Sequence, residues 1–255
     1  MKAMILAAGL GTRLRPLTDD RPKALVTVAG RTLLEIALSR LRTFGVSEVI
    51  VNAHHHAGMI VDYLKVNDNF GMRIEVSREE ELLDTGGGLK KAAPFFSDSS
   101  QEPFILHNVD VLSAIDLGHM VRFHADQNAL ATLAVQERAS SRQLLFDEQA
   151  YLCGRRVGRA PKDESGTEQA DQLVRPTKQM QALAFSGIHV LSPKIFTKMN
   201  EKGVFSIIDA YLHLASRGEK IVAFRADGYY WRDLGRPEDL LHATQDMSSG
   251  KYSVT

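Results

Sequence analysis

From residue 3 to residue 135 short apolar runs alternate with amphipathic helical stretches, and this alternation constrains the fold more than any other feature of the chain. Residues 3–8 are apolar and end at Gly9. Residues 33–44 place Leu34, Ile36, Ala37, Leu38 and Leu41 mostly on one helical stripe, Gly45 closes that helix, and 47–51 reads as a strand. The beat continues with a helix over 57–66, a strand over 72–76, a short helix after Gly88, a strand at 104–106, a helix over 117–126 and a strand over 130–135. Strands alternating with helices predict an α/β fold, a Rossmann-like mixed, mostly parallel sheet with helices on both faces. Such sheets present ligands at the carboxyl ends of their strands, so chemistry is expected there.

Beyond residue 135 the order changes. Residues 143–146 and 150–153 read as a hairpin, and 159–179 is polar and nearly devoid of large apolar residues, as expected of a long surface loop able to close over a ligand. A strand over 182–191 is stopped by Pro193, and a helix over 207–215 and a strand over 221–225 follow. No linker or short repeat divides the chain, so residues 1–247 are expected to form one domain, with 248–255 as a frayed polar tail.

Thirty-one basic residues balance thirty-one acidic ones. With no net charge there is no global field to hold a nucleic acid or an anionic membrane, and an anionic ligand must be met by a local site. No apolar run approaches the length of a membrane span, and the first is too short for a signal peptide, so a cytoplasmic location is expected. The one cysteine, Cys153, has no intramolecular partner and reads as a small core residue.

The run Leu6-Ala7-Ala8-Gly9-Leu10-Gly11-Thr12-Arg13-Leu14-Arg15-Pro16 places a glycine loop directly after a strand, a geometry whose backbone amides can face phosphate oxygens. A dinucleotide fingerprint requires a glycine where Leu14 stands and an acidic residue where Asn52 and Ala53 stand. A Walker loop requires Gly-Lys-Ser/Thr, whereas Gly11 precedes Thr12 and Arg13. What remains is a glycine loop carrying Arg13 and Arg15, with Lys23 ten residues beyond Arg13.

The segment from Leu6 to Glu35 resembles the signature of the sugar-1-phosphate nucleotidyltransferases. Similar segments follow in order: Asp84-Thr85-Gly86-Gly87-Gly88, Leu106-His107-Asn108-Val109-Asp110, Phe185-Ser186-Gly187-Ile188 and Trp231-Arg232-Asp233-Leu234-Gly235. The resemblance implies the nucleotide-diphospho-sugar transferase fold and Mg²⁺-dependent attack of a sugar 1-phosphate on the α-phosphorus of a nucleoside triphosphate. It makes Arg13 and Lys23 the catalytic cations, and Asp110 and Asp233 the metal carboxylates. Leu6, Ala8, Gly9, Gly11, Thr12, Thr85, Gly86, Gly87 and Asn108 join Arg13 and Lys23 around the nucleotide, and Asp84, Ser186 and Gly187 lie at the sugar. Residues 1–135 then form the nucleotide-binding part and 136–247 the sugar-binding and capping part.

The compact length and the Asp-Thr-Gly-Gly-Gly form are most similar to the N-acetylmuramate-1-phosphate uridylyltransferase branch, with a mannose- or heptose-1-phosphate guanylyltransferase as the alternative. A nucleotide-sugar-binding module without turnover is the competing class.

Other readings of the same residues stay open. Asp110 taken alone reads as a helix or turn cap, and Asp84-Thr85-Gly86-Gly87-Gly88 taken alone as a plain glycine turn with Asp84 or Thr85 capping the following helix. The His54-His55-His56 run reads as a loop rather than a metal site, because consecutive side chains diverge. His107 and His189, on apolar strands, read as core histidines. A second lysine that grips the sugar phosphate in the family, in a Glu-Lys-Pro context, has no match; Arg155, Arg156, Lys162, Arg175 and Lys178 are the candidates.

Overall fold

A computed structural model describes residues 1–97, 101–157 and 170–253. In chain order the elements are β1 (Lys2–Leu6), β2 (Thr27–Val28), β3 (Arg31–Thr32), α1 (Leu33–Thr43), β4 (Glu48–Ala53), α2 (Ala57–Val66), β5 (Arg73–Arg78) and α3 (Asp84–Lys91). There follow β6 (Phe104–Asn108), β7 (Val111–Ser113), α4 (Leu117–Asp126), β8 (Ala131–Gln136), β9 (Arg142–Asp147), β10 (Leu152–Val157), β11 (Ala170–Leu173) and β12 (Met180–Leu191). The chain closes with α5 (Ile195–Lys198), α6 (Ile207–Ser216), β13 (Ile221–Arg225), β14 (Trp231–Asp233) and α7 (Pro237–Ser248).

Strands β6, β1, β4 and β5 pair in parallel, and β8 and β13 form a second parallel pair. The long strand β12 joins them, running antiparallel to β6, β8 and β9, and β9, β10 and β11 extend the sheet as an antiparallel meander. The sheet is therefore mixed, with its parallel part built from the region whose sequence alternates strand and helix. A buried central strand must be apolar on both faces. β1 meets this by alternation: Ala3 and Ile5 pack in one core with α1, α2 and α4, while Met4 and Leu6 pack in the other with Leu89 and α6.

Local chemistry sets the helix ends. Thr32 caps α1 by accepting from the Glu35 amide at 3.0 Å, and Asp116 caps α4 by accepting from the His119 amide at 2.8 Å. Cys153 is buried, as expected of a core thiol, and burial pushes it up to about 11.

Three expectations are corrected. The segment 159–179 is not loop throughout: residues 170–173 form β11 and pair with β10, where the ladder supplies hydrogen bonding that apolar anchors do not; residues 174–179 are irregular, and residues 159–169 of the expected closing loop lie outside the described residues. The helix expected after Gly88 begins at Asp84, so the three glycines are inside it. The tail does not fray at Tyr252, which is 4% exposed, packs 5.0 Å from the Tyr230 ring and donates its amide to the Asp246 carbonyl. It is anchored by α7, which the weak apolar pattern of 237–248 conceals.

Candidate active site

The glycine loop leaves β1 at the carboxyl edge of the parallel strands. The Ala7 amide donates to Asn52 Oδ1 at 2.7 Å, tying the loop to the end of β4. Gly11 is left-handed, with φ 65°, and a Cβ there would lie 3.0 Å from Thr18 Cγ2 and 3.1 Å from Lys23 Cβ, so both conformation and space select glycine. Thr12 and Arg13 follow in a short 3-10 turn and are exposed, and Arg15 is turned outward onto Asp19 at 3.3 Å.

Lys23 is buried, and its ammonium sits on the Asp110 carboxylate. Asp110 occupies the turn from β6 to β7; Asp233 ends β14, which pairs antiparallel with β7 through Asp233 and Val111. This two-stranded ribbon brings the two carboxylates together from 123 residues apart. Burial pushes the Asp233 carboxyl up, the Asp110 charge adds to this, and Lys23 and Arg13 oppose it. Asp233 Oδ1 accepts from the Gly235 amide at 2.9 Å. A Cβ on Gly235 would lie 2.4 Å from Asp233 Oδ1 and 2.7 Å from Arg13 Nη2, so glycine here allows the arginine and the carboxylate to converge.

Beside this cluster lies a cavity of about 380 Å³, within the range of small-molecule sites. Leu6, Ala8 and Gly9 line it from the loop, Asp84 and Thr85 from the start of α3, and Asn108 and Asp110 from the end of β6. Of the remaining expected site residues, Gly187 meets the cavity only indirectly: it is left-handed at φ 74°, and a Cβ would lie 2.9 Å from Asn108 Nδ2 and 2.8 Å from Val111 Cγ2. It sits in the irregularity of the β12–β8 ladder between Phe185 and His189. Ser186 is fully buried, and its Oγ has no hydrogen-bond partner.

Gly86 and Gly87 do not present free amides. Both donate to the Phe205 carbonyl, at 2.9 and 3.2 Å, and Thr85 Oγ1 accepts from the Ile207 amide at 3.0 Å. The glycines serve close packing: a Cβ on Gly86 would lie 2.4 Å from the Phe205 ring, and one on Gly88 2.7 Å from both Asn52 Nδ2 and Glu79 Oε1. These two amides are therefore engaged with Phe205 and do not face a ligand in this geometry.

Sequence reasoning missed three residues that line the cavity, Glu79, Leu82 and Val204. Glu79 lies in a run of three glutamates that reads as a solvated stretch, yet it is only 4% exposed. It accepts from Asn52 Nδ2 at 2.7 Å and from the Leu83 amide at 3.0 Å, so a continuous hydrogen-bonded path joins Ala7 to the start of α3. Its one legible signal is position, between a strand and the Asp84 segment. His54 lies in the expected loop with Nδ1 2.9 Å from the Glu79 carbonyl oxygen. His107 and His189 are core residues, held by burial down to about 4 and about 3.

Among the described residues no group of three or more His, Cys, Asp or Glu is placed to hold a metal, so Asp110 and Asp233 would need further ligands from substrate or water. No helix among them is long and apolar enough to cross a membrane. The arrangement can bind a polyanion and neutralise charge that develops on it.

The chain is 33% identical over 246 residues to an N-acetylmuramate alpha-1-phosphate uridylyltransferase of Caulobacter vibrioides, covering 94% of each. It is 30% identical to a probable mannose-1-phosphate guanylyltransferase of Oryza sativa subsp. japonica over 94% of this chain, and spans 63% of the rice protein. Its fold is similar to that of HddC from Yersinia pseudotuberculosis, crystallised with GMP-PN, at a TM-score of 0.75 and 24% identity over 96% of this chain and 99% of that one. The family described as nucleotidyl transferase matches residues 2–250, and the chain belongs to that family.

Proposed function

We propose that this protein transfers a nucleotidyl group from a nucleoside triphosphate to a sugar 1-phosphate, releasing pyrophosphate. The observation that carries the reading is the convergence of Arg13, Lys23, Asp110 and Asp233 at one edge of the 380 Å³ cavity. In such a displacement a phosphate oxygen of the sugar attacks the α-phosphorus and the bond to the β-phosphate oxygen breaks. Little covalent chemistry is asked of the protein, and catalysis rests on positioning and charge. Arg13, exposed beside Asp233, would hold the departing β and γ phosphates. Lys23, paired with Asp110, would meet the α or β phosphate as negative charge shifts onto it.

Two carboxylates close enough for one to raise the other fit a hard divalent cation that completes its shell with phosphate and water oxygens, and Mg²⁺ is the ion proposed. When bound, it supplies charge neutralisation and in-line orientation of the phosphates. Residues 1–135 then hold the nucleotide and 136–247 the sugar. The 33% relative matched over nearly its whole length favours UTP with N-acetylmuramate 1-phosphate or a similar sugar. The guanylyltransferase relatives keep GTP with mannose or heptose 1-phosphate as the second reading.

The test is a pyrophosphate-release panel crossing UTP, GTP, ATP, CTP and dTTP with common sugar 1-phosphates. Best turnover with UTP or GTP supports the reading. Strong activity with only ATP or dTTP overturns the base, and nucleotide-sugar binding without pyrophosphate release from any pair returns the chain to the binding-module class.

A further inference from the structure

Arg138, just beyond β8, is built like a cation held ready for an anion. Its guanidinium lies over the Trp231 ring, with Cζ 3.8 Å from the centroid, and Nη2 donates to the Phe185 carbonyl at 2.8 Å. Trp231 is itself pinned, donating Nε1 to the Ser186 carbonyl at 2.7 Å. Both supports belong to the site: Phe185 opens the irregularity that seats Gly187 against Asn108, and Trp231 lies two residues before Asp233 on β14. The guanidinium is thus oriented from two sides, yet few of its donors are used. Nε is buried without a hydrogen-bond partner, and among the described residues no carboxylate forms an ion pair with Arg138. The negative charge acting on it is that of Asp233. A half-buried cation with unmet donors is completed by an anion that brings its own acceptors, and a planar guanidinium fixed on an indole face suits a phosphate.

The basic residues that sequence alone offers for a phosphate grip are engaged elsewhere or outward. Arg155 pairs with Asp209 and Gln172, Arg156 is bidentate on Asp171, Arg175 lies against Tyr151, and Lys178 is exposed. Lys162 lies outside the described residues. We propose that Arg138 binds the 1-phosphate of the sugar substrate, an assignment that rests on the nucleotidyl-transfer reading above.

Pyrophosphate release by the full chain tests this, with sugar 1-phosphate varied at saturating nucleoside triphosphate and then the reverse, in wild type, Arg138→Met and Arg138→Lys. Methionine keeps an apolar stem against Trp231 and removes the charge. The expected result for Arg138→Met is a KM for sugar 1-phosphate raised at least about tenfold, a KM for the nucleotide within about twofold, and an unchanged melting temperature. Arg138→Lys should recover part of the loss. An unchanged KM for the sugar phosphate, or equal rises in both KM values with a lowered melt, overturns the proposal and leaves Arg138 as a prop for Trp231. A wild type that releases no pyrophosphate with any substrate pair overturns nucleotidyl transfer itself, and the Arg138 assignment with it. The two failures differ in whether wild type or only the variant comparison disagrees.

Discussion

Asp233→Asn and Asp110→Asn should move the metal-free melting temperature in opposite directions. Two carboxylates that share an ion repel without it, so sequence alone suggests that neutralising either one relieves the strain. The structure breaks that symmetry. Asp233 has its carboxyl pushed up by burial and by Asp110. Its folded form therefore holds a proton more tightly than the unfolded chain does, and its charge costs stability at every pH above its folded pKa. Asparagine removes that cost while Oδ1 still accepts from Gly235, so the variant should melt above wild type at neutral pH. The gap should close as pH falls through the raised pKa, where wild type protonates.

Asp110 instead carries the counter-charge for Lys23, with the two side chains 21% and 9% exposed. Removing one partner of a fully buried pair costs about 3–5 kcal/mol, and of an exposed pair about 0–1. With this partial exposure, and Asp233 still acting on Lys23, a loss of about 2 kcal/mol is expected for Asp110→Asn. For a chain of this size that corresponds to a fall of roughly 4–8 °C. Thermal melts in chelator from about pH 8 down through the ordinary carboxylate range measure both effects. If both variants move the same way, or Asp233→Asn melts lower across the range, the proposed division of labour between the carboxylates is wrong. In activity the two should agree, each losing about 100-fold or more in turnover, with partial rescue by added Mg²⁺.

Arg13→Ala should lower turnover with little change in melting temperature, because Arg13 is exposed; Lys23→Ala should lower both, because it removes the ion-pair partner of Asp110 beside Asp233, and kinetics beside a melt separate the cases. Gly86→Ala should destabilise by about 1–3 kcal/mol through overpacking against Phe205, read as a lower urea midpoint; a wild-type midpoint would show that the segment yields. Tyr252→Ala should cost about 2–4 kcal/mol, against nearly nothing for a frayed tail, and a melt decides between them.

Much of the fold was legible because its signals are local. The split of β1 between two cores follows from an unbroken apolar run, and α1 follows from an apolar stripe closed by Gly45. The short partners were not legible: β7 and β14 are three residues each, and only their pairing makes them strands. The glycine run before Leu89 reads as a turn because glycine is a poor helix former, yet α3 begins at Asp84, where close contact with Phe205, Gly203 and Asn52 outweighs propensity.

For the candidate site the division is similar. Resemblance to a family signature singled out Gly11, Arg13, Lys23, Asp110 and Asp233 as candidates, because that signature is carried by charged groups and glycines at set positions in the sequence. It was silent on which cation faces which carboxylate, on the burial of Glu79 among exposed neighbours, and on Arg138 resting over Trp231. Those facts depend on segments up to 123 residues apart meeting in space, and on solvent being excluded where they meet. Chemistry type is carried by side-chain identity, which sequence displays in full; the energy of a charge is set by its distance from other charges and from water, which only the packed chain decides.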